Sequence, residues 1–98
     1  MSDTQFDLLL KNLEVVRPGR DTVEMLDVAI RDGKFAALEP SIDASAAREV
    51  RDCSGLTAFP GVVDTHMHVG IYSPLAQDAV TESKAAAMGG VTSAVTYF

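Results

Sequence analysis

The sequence predicts two kinds of structure in one chain: a small β-domain over residues 1–58, then an α/β unit from residue 59 onward. Three observations predict it. Residues 6–59 break into short apolar runs separated by turn residues. Residues 76–88 are rich in alanine and end at Gly89-Gly90, and residues 91–98 are β-branched and aromatic. Apolar runs bounded by turn signals read as strands, and an alanine-rich stretch closed by glycine reads as a helix.

The chain has 98 residues, enough for one small domain. Hydrophobic residues make up 47% and charged residues 22%, a globular rather than a disordered balance. A formal net charge of -6 argues against a nucleic-acid or anionic-membrane partner. The single cysteine, Cys53, cannot form an intramolecular disulfide, which fits a reducing, cytoplasmic setting. It reads as an ordinary half-buried residue at a strand end. The polar start Met1-Ser2-Asp3-Thr4-Gln5 has no signal-peptide character, and Leu8-Leu9-Leu10 is far too short to span a bilayer. A soluble protein is expected.

Taken in order, residues 6–10 and 13–16 are apolar runs with Lys11-Asn12 between them, a plausible tight turn. Arg17-Pro18-Gly19-Arg20 is a turn signal. Residues 24–30 alternate, with Leu26, Val28 and Ile30 on an apolar face and Met25, Asp27 and Ala29 on the other. Asp32-Gly33 is a strong hairpin signal leading into residues 34–38. Residues 40–47 are small and polar, a loop or short helical turn. Residues 48–53 form another strand, and Ser54-Gly55 turns the chain toward Leu56. The expected result is an antiparallel β-domain with a solvated rim that includes Arg31, Asp32 and Lys34.

The stretch Phe59-Pro60-Gly61-Val62-Val63-Asp64-Thr65-His66-Met67-His68-Val69-Gly70 reads as a buried strand entered through a Pro-Gly turn. Strand alternation puts Asp64, His66 and His68 on one face. The chain has only two histidines, and both are here. Two imidazoles on one face can reach a single point, as metal ligands must. A bare His-x-His is a weak signal, and a core histidine is the bland alternative. Three polar side chains on an otherwise apolar strand need partners, however, and a metal supplies them.

Ser73 is a candidate N-cap with Pro74 at the first helical position. The helix ends at Gly89-Gly90, and the next strand runs to Phe98. Strand, helix, strand implies two parallel, adjacent strands. Such a pair is stable almost only with both faces covered. The expectation is therefore that these residues belong to a longer protein, truncated here after the second strand.

Pro60-Gly61-Val62-Val63-Asp64-Thr65-His66-Met67-His68 resembles the Pro-Gly-x-x-Asp-x-His-x-His signature that opens the barrel of the amidohydrolase superfamily. Ile30-Arg31-Asp32-Gly33-Lys34 resembles a hairpin of the small β-sandwich domain that precedes that barrel. Glu82-Ser83-Lys84-Ala85-Ala86-Ala87-Met88-Gly89-Gly90-Val91-Thr92-Ser93 is similar to the first helix and second strand of cyclic amidohydrolases. That branch holds dihydropyrimidinases, hydantoinases, allantoinases and dihydroorotases. The resemblance covers nearly the whole chain. It implies a β-sandwich portion over residues 1–58 and, over residues 59–98, the first strand, helix and strand of a (β/α)8 metallo-dependent hydrolase barrel.

What the resemblance implies chemically is a centre of two divalent metal ions, usually zinc, with His66 and His68 as ligands of the more buried one. The reaction implied is hydrolysis of a small cyclic amide by a homo-oligomer. The carboxylated lysine, the further histidines and the proton-shuttling aspartate of the family belong to later strands. Lys84 lies on the helix and is not that lysine. In dihydroorotases an arginine two residues after the second histidine binds the substrate carboxylate; here that position is Gly70. This departure favours a hydantoinase or dihydropyrimidinase type. Tyr72 reads as packing rather than as a ligand contact. Dihydroorotase, another hydrolase or deaminase of the superfamily, and a non-catalytic truncated relative stay open as alternatives.

Overall fold

The computed structural model describes residues 4–97. The polar lead residues 1–3, and Phe98 at the end of the last predicted strand, lie outside the described residues. The chain divides into two compact units, with the boundary after Pro60.

The first unit is organised around β1 (Phe6–Val15). Strand β2 (Glu24–Arg31) pairs with it antiparallel, and β3 (Lys34–Glu39) pairs antiparallel with β2. Asp32 and Gly33 both take positive φ (53° and 74°), closing the β2–β3 hairpin where Asp-Gly predicts it. Two strands on the other edge depart from expectation: β4 (Ala47–Asp52) and β5 (Thr57–Ala58) run parallel to β1. The sheet is therefore mixed, in the order β3-β2-β1-β4, with β5 continuing beside β1. Residues 40–46, including a 3-10 turn at Ala44–Ala46, carry the chain over so that Ala47 lies beside Phe6. Alternation reports which face a residue occupies and is silent about strand direction. Among the described residues this unit holds one sheet and no second sheet packed on it.

Lys11-Asn12 is not a turn. Both apolar runs flanking it pair with β2, from Leu8↔Ile30 to Val15↔Glu24, with a bulge between Leu10 and Leu13. A tight turn would fold the two runs against each other; here one strand runs through both. Asn12 takes φ 64°, a conformation Asn tolerates better than most residues. The extra residue changes the parity of the strand. Leu10, Leu13 and Val15 join Leu26, Val28 and Cys53 in one apolar cluster, whereas Leu9 joins Ala29, Ile42 and Ala47 in another.

The bulge also explains Asp27, which alternation places opposite the apolar face and which is nonetheless 2% exposed. Its carboxylate accepts from Lys11 Nζ (2.7 Å), Asn12 N–H (2.9 Å) and Ile42 N–H (2.9 Å). Burial works to raise its pKa. The Lys11 ammonium and the two backbone donors outweigh burial and hold it below the ordinary aspartate value.

The second unit is β6 (Val62–His68), α1 (Leu75–Met88) and β7 (Val91–Tyr97). The two strands pair in parallel, as the strand–helix–strand order predicts. The helix starts one residue later than expected: Pro74 is the cap, and no side chain caps the first turn. It stops at Gly89-Gly90, where Gly90 takes φ 92°. No helix among the described residues is long and apolar enough to cross a membrane.

Candidate metal centre

Strand β6 carries both histidines near its C-terminal end, and both side chains are exposed. Their Nε2 atoms approach to 3.1 Å, with ring centroids 4.8 Å apart and planes at 76°. Metal–imidazole bonds run at about 2.0–2.1 Å, so two nitrogens at this separation can bind one ion from adjacent directions. His66 and His68 therefore present a convergent pair of nitrogen donors.

The strand between them and Asp64 is less regular than alternation assumes. Asp64 pairs with Ala94 and Met67 with Thr96, so three steps along β6 answer two along β7. Within this slip, Asp64 Oδ1 accepts from the His66 backbone N–H at 3.0 Å. A strand with Asp64, His66 and His68 in simple alternation would not need that bond. Its carboxylate is engaged with the main chain of the residue it was expected to accompany.

Beyond His68 the chain leaves the strand through buried Val69 and enters a tight loop. Gly70 takes φ 81°, and a Cβ there would lie 3.0 Å from Leu75 Cβ and 3.2 Å from Leu75 Cα. Positive φ together with this close approach of the helix start excludes a side chain without rearrangement. The Gly70 N–H donates to Asp78 Oδ2 at 3.0 Å. Asp78 sits in the first turn of α1, where the helix dipole also favours a carboxylate. Sequence reasoning passes over Asp78; the one signal for it is an acidic residue early in a helix.

Tyr72 is 85% exposed, its ring 6.5 Å from that of His68 and close to perpendicular at 73°. Packing into a core is thus not its role among the described residues. Cys53 is buried in the first unit's apolar cluster and, as expected, has an ordinary packing role. No group of three or more His, Cys, Asp or Glu side chains that could hold a metal ion occurs among the described residues.

No family model matches the chain. Over 91 residues it is 36% identical to the allantoinase of Escherichia coli O1:K1 / APEC, covering 92% of this chain and 19% of that protein. Over 85 residues it is 39% identical to the dihydroorotase of Elusimicrobium minutum (strain Pei191), covering 86% and 19% respectively. Among solved structures, the L-hydantoinase (dihydropyrimidinase) from Arthrobacter aurescens matches with a TM-score of 0.58 and 34% identity, over 65% of this chain and 14% of that one. The chain spans 19% of the length of the curated relatives described.

A mixed sheet like that of hydantoinase and a histidine pair on a parallel strand, taken with these relatives, define an amidohydrolase-superfamily chain. Within the superfamily, it belongs to the cyclic amidohydrolase branch and matches the N-terminal region of its members.

Proposed function

We propose that this chain is the N-terminal part of a metal-dependent hydrolase that opens C–N bonds of cyclic amides, of the hydantoinase or dihydropyrimidinase type. In this reading residues 1–58 contribute to a β-sandwich, and residues 59–98 open a (β/α)8 barrel with β6 and β7 as its first two strands. The observation that carries it is the 3.1 Å approach of His66 and His68 Nε2 at the C-terminal end of a parallel strand, the end at which barrel active sites are built.

The residues present fit one part of a metal site. His66 and His68 would hold a divalent ion, zinc in the family's usual form. When bound, such a metal activates water and polarises the amide carbonyl. A catalytic zinc takes about three protein ligands, and the described residues bring two imidazoles together. The remaining ligands and the second ion's site come from beyond residue 98. The isolated chain is accordingly inactive and binds metal weakly; the longer protein is a soluble, cytoplasmic homo-oligomer.

Gly70 supports the substrate type. Its φ of 81° and the 3.0 Å approach of Leu75 strain any side chain placed there, so this loop carries no arginine to grip a carboxylate two residues after His68. A ring without that carboxylate suits the site. Dihydroorotate hydrolysis is the second reading, favoured by the 39% identity to a dihydroorotase.

The test is zinc content and turnover of the full-length protein against hydantoins, dihydropyrimidines, allantoin and dihydroorotate. Two zinc ions per protomer and fastest turnover of an uncharged ring are expected. His66→Ala and His68→Ala should each lose metal and activity. Faster turnover of dihydroorotate would establish the second reading, and zinc binding unaffected by both substitutions would remove His66 and His68 from the site.

A further inference from the structure

The two imidazoles are bracketed by two carboxylates that grip main chain rather than side chain. On the N-terminal side, Asp64 Oδ1 takes the His66 N–H at 3.0 Å, inside the stretch where the β6–β7 register slips. On the C-terminal side, Asp78 Oδ2 takes the Gly70 N–H at 3.0 Å, two residues past His68. We propose that Asp64 and Asp78 are positioning residues: together they hold the backbone on either side of the histidine pair and thereby set the separation of the two Nε2 atoms.

A bulged strand has lost the regular ladder that fixes backbone direction, so Cα–Cβ vectors in the bulge depend on local contacts. His66 sits in the slipped segment, between Asp64↔Ala94 and Met67↔Thr96. The Asp64 bond ties the main chain at that residue and fixes how far its imidazole leans toward His68. Past His68, the chain must leave the strand in the left-handed conformation of Gly70, which most loops would not hold by themselves. Asp78 ties that turn to the first turn of α1, the element against which Leu75 already packs. Asp78 is half-buried, so its hydrogen bond is less open to exchange with water than a surface contact. Neither carboxylate is assigned to metal or substrate by this proposal. Both act through backbone groups, and an amide oxygen can accept the same bonds.

This inference rests on the metal-site reading for its functional consequence but not for its geometry. The experiment therefore has two readouts in the full-length protein carrying Asp64→Ala, Asp64→Asn, Asp78→Ala and Asp78→Asn. The first is the nuclear Overhauser contact between the His66 and His68 rings in histidine-labelled protein stripped of metal by chelation. It should be strong in the parent and both Asn variants, and weakened or lost in both Ala variants. The second is zinc affinity, expected to fall about tenfold in the Ala variants, at the low end of what outer partners of metal ligands contribute, and to recover in the Asn variants. Retention of the ring contact in both Ala variants overturns the proposal whether or not zinc binds. Loss of the ring contact in a parent-like fold that binds no zinc leaves the positioning role in place and removes the metal reading. Circular dichroism and thermal melts confirm that each variant folds; if an Ala variant unfolds, Asp64→Leu or Asp78→Leu, close to aspartate in size but with no acceptor, replaces it with the same expected outcomes.

Discussion

The two units handle their apolar residues differently. In the first, β1 and β2 are covered on both faces in their central stretches: Leu9 and Ala29 are fully buried, and Leu13, Val15, Leu26 and Val28 are at most 6% exposed. In the second, Val62, Val63, Val80 and Val95 are each more than half exposed, Met88 is 91% exposed, and α1 has no buried residue. An open cleft of about 480 Å³, lined by Met67, Val69, Leu75 and Val91 among others, remains between the helix and the strands. A mixed sheet can cover itself with its own loops, as Ile42 does here, whereas a parallel pair with one helix leaves a face open. Burial in this chain is therefore concentrated in the first unit, and the histidine pair is in the second.

Substitutions can break that division, the largest effects falling in the first unit. Leu9→Ala should cost about 3–4 kcal/mol, because a fully buried leucine leaves a cavity among Ala29, Ile42 and Ala47; urea unfolding measures it. Asp27→Ala should cost about 3 kcal/mol, since the Lys11 ammonium and the N–H groups of Asn12 and Ile42 lose their shared acceptor. The same carboxylate sets a pH dependence. Its folded pKa lies below the ordinary aspartate value of 3.8, so its contribution is present above that value. It is lost as pH falls through the folded pKa, and Asp27→Asn should flatten the decline in melting temperature below about pH 4.

The second unit responds to context more than the first. Val95→Ala should alter the stability of the 98-residue chain by less than about 0.5 kcal/mol, as expected for a side chain 51% exposed. In the full-length protein the same change should cost about 2 kcal/mol if a closed barrel buries this strand on both faces. Equal effects in the two contexts would count against the barrel. Between these two values lies Gly70, where Gly70→Ala should cost about 1–2 kcal/mol from positive φ and contact with Leu75, measured as a shift in thermal midpoint.

Much of this arrangement was legible from local chemistry. Asp32-Gly33 specifies a hairpin by its turn preference, Gly89-Gly90 ends a helix because Gly90 can take positive φ, and alternation brings His66 and His68 together. Each of these depends on residues within a few positions of one another. The sequence by itself thus determined the β2–β3 hairpin, the helix and its end, the parallel pairing of β6 with β7 and the histidine pair.

Tertiary structure decided what depends on partners distant in the chain. Lys11-Asn12 became a bulge because residues on both sides of it found the same strand, β2. The parallel direction of β4 and β5 followed from where residues 40–46 cross over, which no periodicity records. Asp27 went inside because Lys11 and the Ile42 N–H came to meet it from outside its own strand. Asp78 gripped Gly70 because the loop after β6 folded back on the first turn of α1. A side chain's own preferences fix its local conformation, but a buried or bridging polar group is settled only when its hydrogen-bond partners arrive from elsewhere in the fold.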